Sequence, residues 1–316
     1  TTIGYGNGYQ ISYMNSGKMT NKGWEFRVDA VPFQNKDWRV GVYFNIAHNE
    51  NKITEMPDNY IEENYTFGNG NYAYRREEGR PMGSFYGYRY KGVYQNKDAT
   101  YARDIEGNVM KDISGNAIVM RNGSYTVAPG DAIYEDVNHD GVINQYDIVY
   151  LGNSNPRLTG GAGLNVSYKQ FKLSAIFYGR YGQDVVNATR LNNESMRGID
   201  NQSTAVLRRW RNEGDQTDIP RALYGEGYNT LGSDRFVEDA SYLRLKSLSF
   251  TYRLPKKAIQ RWGFNNIDVY VTGYNLFTWT KYTGQDPEVK TENTYARDTA
   301  TTPASIQLVA GFNLSF

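Results

Sequence analysis

The stretch Ile306-Gln-Leu-Val-Ala-Gly-Phe-Asn-Leu-Ser-Phe316 decides the fold. Ile306, Leu308, Ala310, Phe312, Leu314 and Phe316 fall on one side of an extended chain. Gln307, Gly311, Asn313 and Ser315 fall on the other, with Val309 the single exception. Side chains of a strand point alternately to opposite faces, so a period of two reads as a strand. One face is wholly apolar and ends on an aromatic; the other is polar. A strand with lipid on one side and water on the other has this pattern. The edge strand of a soluble sandwich also alternates, but such a chain would be expected to trail off in polar residues. The stretch therefore predicts an all-β, antiparallel transmembrane β-barrel.

The same alternation recurs upstream. Trp24, Phe26, Val28 and Ala30 oppose Glu25, Arg27 and Asp29. After a turn over Pro32–Asp37, Trp38, Val40, Val42, Phe44 and Ile46 oppose Arg39, Gly41, Tyr43 and Asn45. Leu164, Val166 and Tyr168 lead through Lys169-Gln170 to Phe171, Leu173, Ala175 and Phe177, a hairpin signature. Tyr242–Tyr252 is strand-like with a change of phase near Ser247. Ile267, Val269, Val271 and Gly273 form a further face. These segments make about seven crossing strands. If the last strand ends on the periplasmic side, every short link falls there. The long stretches 49–156, 182–235 and 279–304 all fall outside the cell, the asymmetry of an outer-membrane barrel. This parity needs 49–156 to be one excursion without a crossing. One helix is expected around Ser203–Asn212, with Val206, Leu207 and Trp210 on its inner face.

Composition agrees. The chain has 316 residues, 35 basic against 34 acidic, and a net charge of +1, with no basic excess for nucleic acid. It has no cysteine and two histidines, His48 and His139, which leaves no thiolate site and little room for histidine catalysis. Its 28 tyrosines and 32 glycines suit strands and turns. Mean hydropathy is −0.68, and no apolar run approaches the ~18 residues of a membrane helix. This does not exclude a barrel, whose strands hide from hydropathy windows. Thr1 begins in mid-pattern, as a piece of a longer protein would.

Within the longest excursion lies Asp136-Val-Asn-His-Asp-Gly-Val-Ile-Asn-Gln-Tyr-Asp147. Side-chain oxygens stand at positions one, three and five, from Asp136, Asn138 and Asp140. Gly141 stands at the sharp turn, Val142 offers a carbonyl at seven, Asn144 stands at nine and Asp147 closes the loop at twelve. Hard cations such as calcium are wrapped by about six to eight oxygens in this way. Asp in place of the usual Glu at twelve shortens the last reach. An Asx-rich turn without metal is the alternative. No clear helices flank the loop, so a structural clip is expected rather than a sensor.

No catalytic set emerges, and an enzyme is not expected. Glu62-Glu63 and Glu77-Glu78 read as solvated loop charge. Gly4–Gly8 and Gly68–Asn71 lack the strand–helix context of a phosphate loop. Arg208-Arg209-Trp210-Arg211 reads as part of the structural helix. Glu25, Arg27, Asp29, Arg39, Tyr43 and Asn45 are expected to face the lumen. Tyr60, Tyr65, Phe67, Tyr72, Tyr74, Phe85 and Tyr86 suit either sugar stacking or loop packing.

Several stretches together resemble the SusC-like (SusC/RagA) TonB-dependent outer-membrane transporters. They are Gly130-Asp131, the loop from Asp136 to Gly141, Leu151-Gly-Asn-Ser-Asn-Pro156 and Ser167-Tyr-Lys-Gln-Phe-Lys-Leu173. To these are added Ala240–Leu248 with Leu254-Pro255, Val269–Phe277 and Lys281–Glu288. The resemblance runs from about residue 17 to Phe316. It implies the C-terminal part of a 22-stranded barrel, with the N-terminal plug and TonB-contacting segment absent from this chain. It also implies the outer membrane of a Gram-negative, Bacteroidetes-like bacterium and a SusD-like surface lipoprotein as lid. The implied activity is TonB-driven import of oligosaccharides, or peptides in some members. Two other readings stay open: a siderophore or vitamin importer without a lid, and a soluble calcium-dependent carbohydrate-binding β-sandwich.

Overall fold

The computed structural model describes residues 17–56, 70–73, 75–289, 291–292 and 295–316. Seven long strands form one sheet in simple chain order. They are β1 (Lys18–Gln34), β2 (Trp38–Glu55), β3 (Leu158–Tyr168), β4 (Phe171–Tyr181), β5 (Tyr242–Arg253), β6 (Asn266–Thr280) and β7 (Gln307–Ser315). Every neighbouring pair is antiparallel.

The register lines up the apolar faces. Val28 pairs with Phe44, Phe44 with Ala162 and Ala162 with Phe177. A one-residue slip would turn each of these to the polar side. On the outer face Phe26 is 53% exposed and Phe312 67%, which in a water-soluble fold would be a large unburied apolar surface. Aromatics collect at both ends of this face. Trp38 packs on Tyr168 at 4.3 Å and Phe171 on Tyr252 at 4.9 Å at one end. Trp24 lies by His48, and Phe277 by Trp279, at the other. From Trp38 to His48 the strand rises roughly 33 Å. A tilt of about 40° makes this a band of about 25 Å, the height of an outer-membrane barrel wall.

The change of phase expected near Ser247 is a bulge. Pairing on both sides of β5 skips one residue, Lys246, between Leu245 and Ser247. The extra residue keeps Arg244 and Ser249 on the inner face although their spacing is odd. Val309, the exception in the last strand, sits opposite Thr272 on the inner face. On that face the Tyr43 ring occupies the space a Cβ at Gly163 would take, and Tyr270 covers Gly311 likewise. Each aromatic lies over its own cross-strand glycine, which fixes the register.

Links are short at one end, residues 35–37, 169–170 and 254–265, and long at the other. β2 pairs directly with β3, so no strand of the sheet lies between them. Strands β2 and β6 run to Glu55 and Thr280, so the long links start a little later than the alternation indicates. The expected helix at Ser203–Asn212 is only a 3-10 turn, Thr204–Arg208. Arg209 is extended, which lets the Trp210 N–H bond the Ile219 carbonyl, and Leu207 is left exposed while Val206 and Trp210 are buried.

The hydrophobic core lies in the long links, not on the sheet. Tyr86, Tyr88, Tyr94, Ala102, Met120, Ala132, Tyr134, Ile143 and Tyr228 pack into one cluster. Small sheets brace it, including Ser84–Gly87 with Val149–Asn153, and Asp184–Asn187 between Val237–Asp239 and Tyr295–Asp298. The β-sandwich reading fails here: among the described residues no second sheet covers either face of the seven strands.

Candidate functional site

The candidate site is the packed body of links at the long-link end, with the Asp136–Asp147 loop inside it. Asp136 Oδ2 accepts the Gly141 N–H at 2.8 Å, and its Oδ1 accepts that of Asp140 at 3.2 Å. Asp140 Oδ1 accepts the Val142 N–H at 2.8 Å, and its Oδ2 takes the Asn138 amide at 2.9 Å. Asn144 donates to the Val142 carbonyl at 3.1 Å. Asp147 is fully buried, with Oδ1 accepting from Val137 N–H and Oδ2 from Asn144 N–H, both at 2.8 Å. The chain turns through His139 (φ 56°) and Gly141 (φ 80°). A Cβ at Gly141 would lie 2.9 Å from the Ala102 Cβ, so only glycine fits against that neighbour.

The six residues Asp136, Asn138, Asp140, Val142, Asn144 and Asp147 thus belong to one tight turn, with their oxygens turned mainly onto its own N–H groups. Among the described residues no three acidic or histidine side chains converge as a ready metal cage. The donors nevertheless suit a hard cation: all are oxygens, and among the described residues no Lys or Arg side chain forms an ion pair with the three carboxylates, the nearby cations pairing with Glu135 and Asp131 instead. Burial pushes the Asp147 carboxyl above its ordinary value of 3.8, and the charges of Asp136 and Asp140 push it further.

Two features of this body escape a reading of the sequence by hydrophobic period. The first is a tandem turn, Asp104-Ile-Glu-Gly-Asn108 and Asp112-Ile-Ser-Gly-Asn116. Asp104 accepts the N–H groups of Glu106 and Asn108, and Asp112 those of Ser114 and Asn116. Backbone hydrogen bonds, led by that of Asn108 or Asn116, hold each carboxyl below its ordinary value. Ala102, Met110 and Ile118 then close a ring: each N–H bonds the carbonyl of another member, at 2.8 to 2.9 Å. The Asp-Ile-x-Gly-Asn recurrence was the available signal. The second is Asp131, fully buried. Its carboxylate accepts from Arg221 Nε at 2.7 Å, Tyr125 Oη at 2.7 Å, Ala128 N–H at 2.8 Å and Asn229 at 3.2 Å. It ties the segment before the loop to residues ninety positions further along the chain. No local pattern announces such a partner.

The aromatic candidates resolve toward packing. Phe85 and Tyr86 are buried, and the Tyr72 hydroxyl donates to the Ser233 carbonyl at 2.7 Å. Burial raises the Tyr72 hydroxyl far above its ordinary value. Tyr60, Tyr65, Phe67, Tyr74, Glu62, Glu63 and Gly4–Gly8 lie outside the described residues. Glu77 accepts from the Tyr86 hydroxyl and Glu78 from the Met56 N–H, both at 2.8 Å, so this acidic pair fastens the links. On the inner sheet face Arg27 pairs with Asp29 at 2.6 Å, while Arg39 stands opposite Ser167 and Asn45 opposite Gly161. Glu25 shares that face, opposite Ala47.

No family model matches the chain. Individual relatives do. The chain is 32% identical over 293 residues to TonB-dependent receptor P3 of Formosa agariphila, covering 90% of this chain and 27% of that protein. It is 28% identical over 311 residues to TonB-dependent receptor SusC of Bacteroides thetaiotaomicron, covering 96% of this chain and 27% of SusC. Among solved structures it superposes on the RagAB peptide transporter with a TM-score of 0.69 and 28% identity, over 100% of this chain and 31% of that one. The chain thus spans between a quarter and a third of the length of these proteins, which carry receptor and transporter names rather than enzyme names. The meander with its lipid-facing band and these likenesses together identify the chain as SusC-like, similar over nearly its whole length to part of a TonB-dependent outer-membrane β-barrel.

Proposed function

We propose that this chain forms a section of barrel wall, with its outer loops, in a TonB-dependent importer of oligosaccharides or peptides. The observation that carries the reading is the superposition of the whole chain on the RagAB peptide transporter. The long-link end faces outside the cell, where cargo is met and a SusD-like lipoprotein docks. The cargo passes unreacted, and TonB acts through a part of the protein not contained in this chain. The test is uptake of labelled oligosaccharide or peptide by cells carrying the full-length protein. Accumulation should need both TonB and the proton motive force. Equal uptake after TonB deletion refutes the reading. Co-purification of a surface lipoprotein favours this reading over a siderophore or vitamin importer without a lid.

The Asp136–Asp147 loop is proposed as a structural calcium site. Asp136, Asn138, Asp140 and the Val142 carbonyl would supply ligands, with Asn144 and Asp147 behind them. The support is the run of oxygens in a loop whose three carboxylates have no cationic partner among the described residues. A bound ion would hold the end of the longest link in place just before β3.

A further inference from the structure

A cleft of about 820 Å³ opens on the inner side of the sheet beneath the long links, lined by Thr159, Tyr178, Arg180, Asn155, Glu288 and Thr302, among others. Asp286 also lines it, and both acids are already matched. Arg244, nearly fully buried, bonds Asp286 and reaches Glu288 at 2.8 Å, while Lys246 reaches Glu288 at 2.9 Å. Arg180 is the charge left over. Its Nε donates to Tyr178 Oη at 3.2 Å, and the guanidinium lies 5.9 Å from the centre of that ring. Among the described residues no carboxylate stands within ion-pair distance of it, and its two terminal nitrogens have no recorded acceptor.

A neighbour of Arg180 adds a donor. Tyr178 Oη accepts from Arg180, which leaves its own proton free to donate. Tyr242, the cross-strand partner of Arg180, is 5% exposed, and its hydroxyl has no hydrogen-bond partner among the described residues. A guanidinium fork and the free Tyr178 proton line the cleft and are short of acceptors, while the unpartnered Tyr242 hydroxyl is buried and does not line it. A carboxylate is acceptor-only and matches an arginine fork in the plane.

We infer that this cleft is a subsite for the carboxylate of a uronic-acid-bearing oligosaccharide. The saccharide follows from the other walls. Asn155, Thr159 and Thr302 offer mixed donors and acceptors suited to ring hydroxyls. A peptide would call for an open strand edge or a row of apolar pockets, and here the strands on both sides of Arg180 are paired. The subsite rests on the import reading for its cargo.

The test uses the full-length protein in detergent, titrated calorimetrically with trigalacturonate, its methyl ester and a tri-aspartate peptide. Trigalacturonate should bind about tenfold or more tightly than the ester, since a charge-assisted pair is lost. Arg180→Gln should bring the acid down to the ester's affinity and leave the ester unchanged, with Arg180→Lys between. Tyr178→Phe should weaken the acid more than the ester. Heat-modifiable mobility on a gel checks that each barrel is folded. If Arg180→Gln does not fold, the Tyr178→Phe comparison of acid with ester decides. Equal binding of acid and ester, binding of the peptide alone, or binding of none of the three overturns the inference. So does an Arg180→Gln protein that is less stable but binds as before, which would make Arg180 a packing contact. Binding without TonB-driven uptake would refute import and leave the subsite standing.

Discussion

Replacing Asp131 by Ala should open the body of links while leaving the sheet folded. The carboxylate is fully buried and satisfies Arg221, Tyr125, Asn229 and the Ala128 N–H together. Removing one partner of a buried ion pair costs roughly 3–5 kcal/mol. Arg221 is 32% exposed and regains some water, which sets the expectation at the lower end, about 3 kcal/mol. Amides that report the hub are those of Gly130, bonded to the Tyr94 carbonyl, Arg221, bonded to the Gly130 carbonyl, and Ala132, bonded to Asn229. If they exchange by local opening, a loss of 3 kcal/mol speeds them by roughly a hundredfold. Hydrogen exchange by mass spectrometry measures this, with the β3–β4 hairpin as the internal control. Asp131→Asn keeps the shape but turns an amide donor toward one side of the hub, and should cost less than Ala. In a cycle with Arg221→Ala the two changes should couple by about 0.5–3 kcal/mol. Unchanged exchange at Gly130, Ala132 and Arg221, or simple additivity in the cycle, would refute the role given to Asp131.

Three further outcomes are expected. Because the folded pKa of Asp147 is raised above 3.8, its protonated form stabilises the metal-free loop at low pH, and that stability is lost as pH rises through the raised value. Protection of the Val137 and Asn144 amides, taken relative to their intrinsic exchange at each pH, should therefore fall as pH rises from 3.8 through the raised value without calcium and recover when calcium is added. Calcium removal or Asp136→Ala should loosen residues 130–156 and spare the barrel, and no response to millimolar calcium would sink the metal proposal. Asp104 and Asp112 have lowered pKa values, so their turns should hold above 3.8 and loosen as pH falls through the depressed values, the opposite sign in the same exchange experiment. Gly163→Ala should force the Tyr43 ring aside and cost about 1–3 kcal/mol in barrel stability by denaturant titration. Adding Tyr43→Ala should recover part of that loss, and a double variant worse than either single one would show that the ring and glycine do not compete.

Much of the sheet was legible because a barrel wall in lipid has only two faces. Each residue of β7 meets either lipid or the inner face, so Ile306 to Phe316 carries its environment in a period of two. The slip at Lys246 could be read for the same reason, as a place where the phase changes. The Asp136–Asp147 turn was legible because its bonds are local, Asp136 to Gly141 and Asp140 to Val142. The helix over Ser203–Asn212 misled because Trp210 follows a distant partner, Ile219, rather than its own turn.

The sequence by itself determined the strands, their inward and outward faces, the short and long links and the tight acidic turn. All of these depend on residues a few positions apart. Tertiary structure alone decided that the tyrosines of the long links pack into a core, that Asp131 meets Arg221, and that Arg180 faces a cleft as an unmatched charge. The physical reason is range. Alternation and Asx turns are set by neighbours along the chain, whereas burial and charge pairing are set by neighbours in space, which the links bring together only on folding.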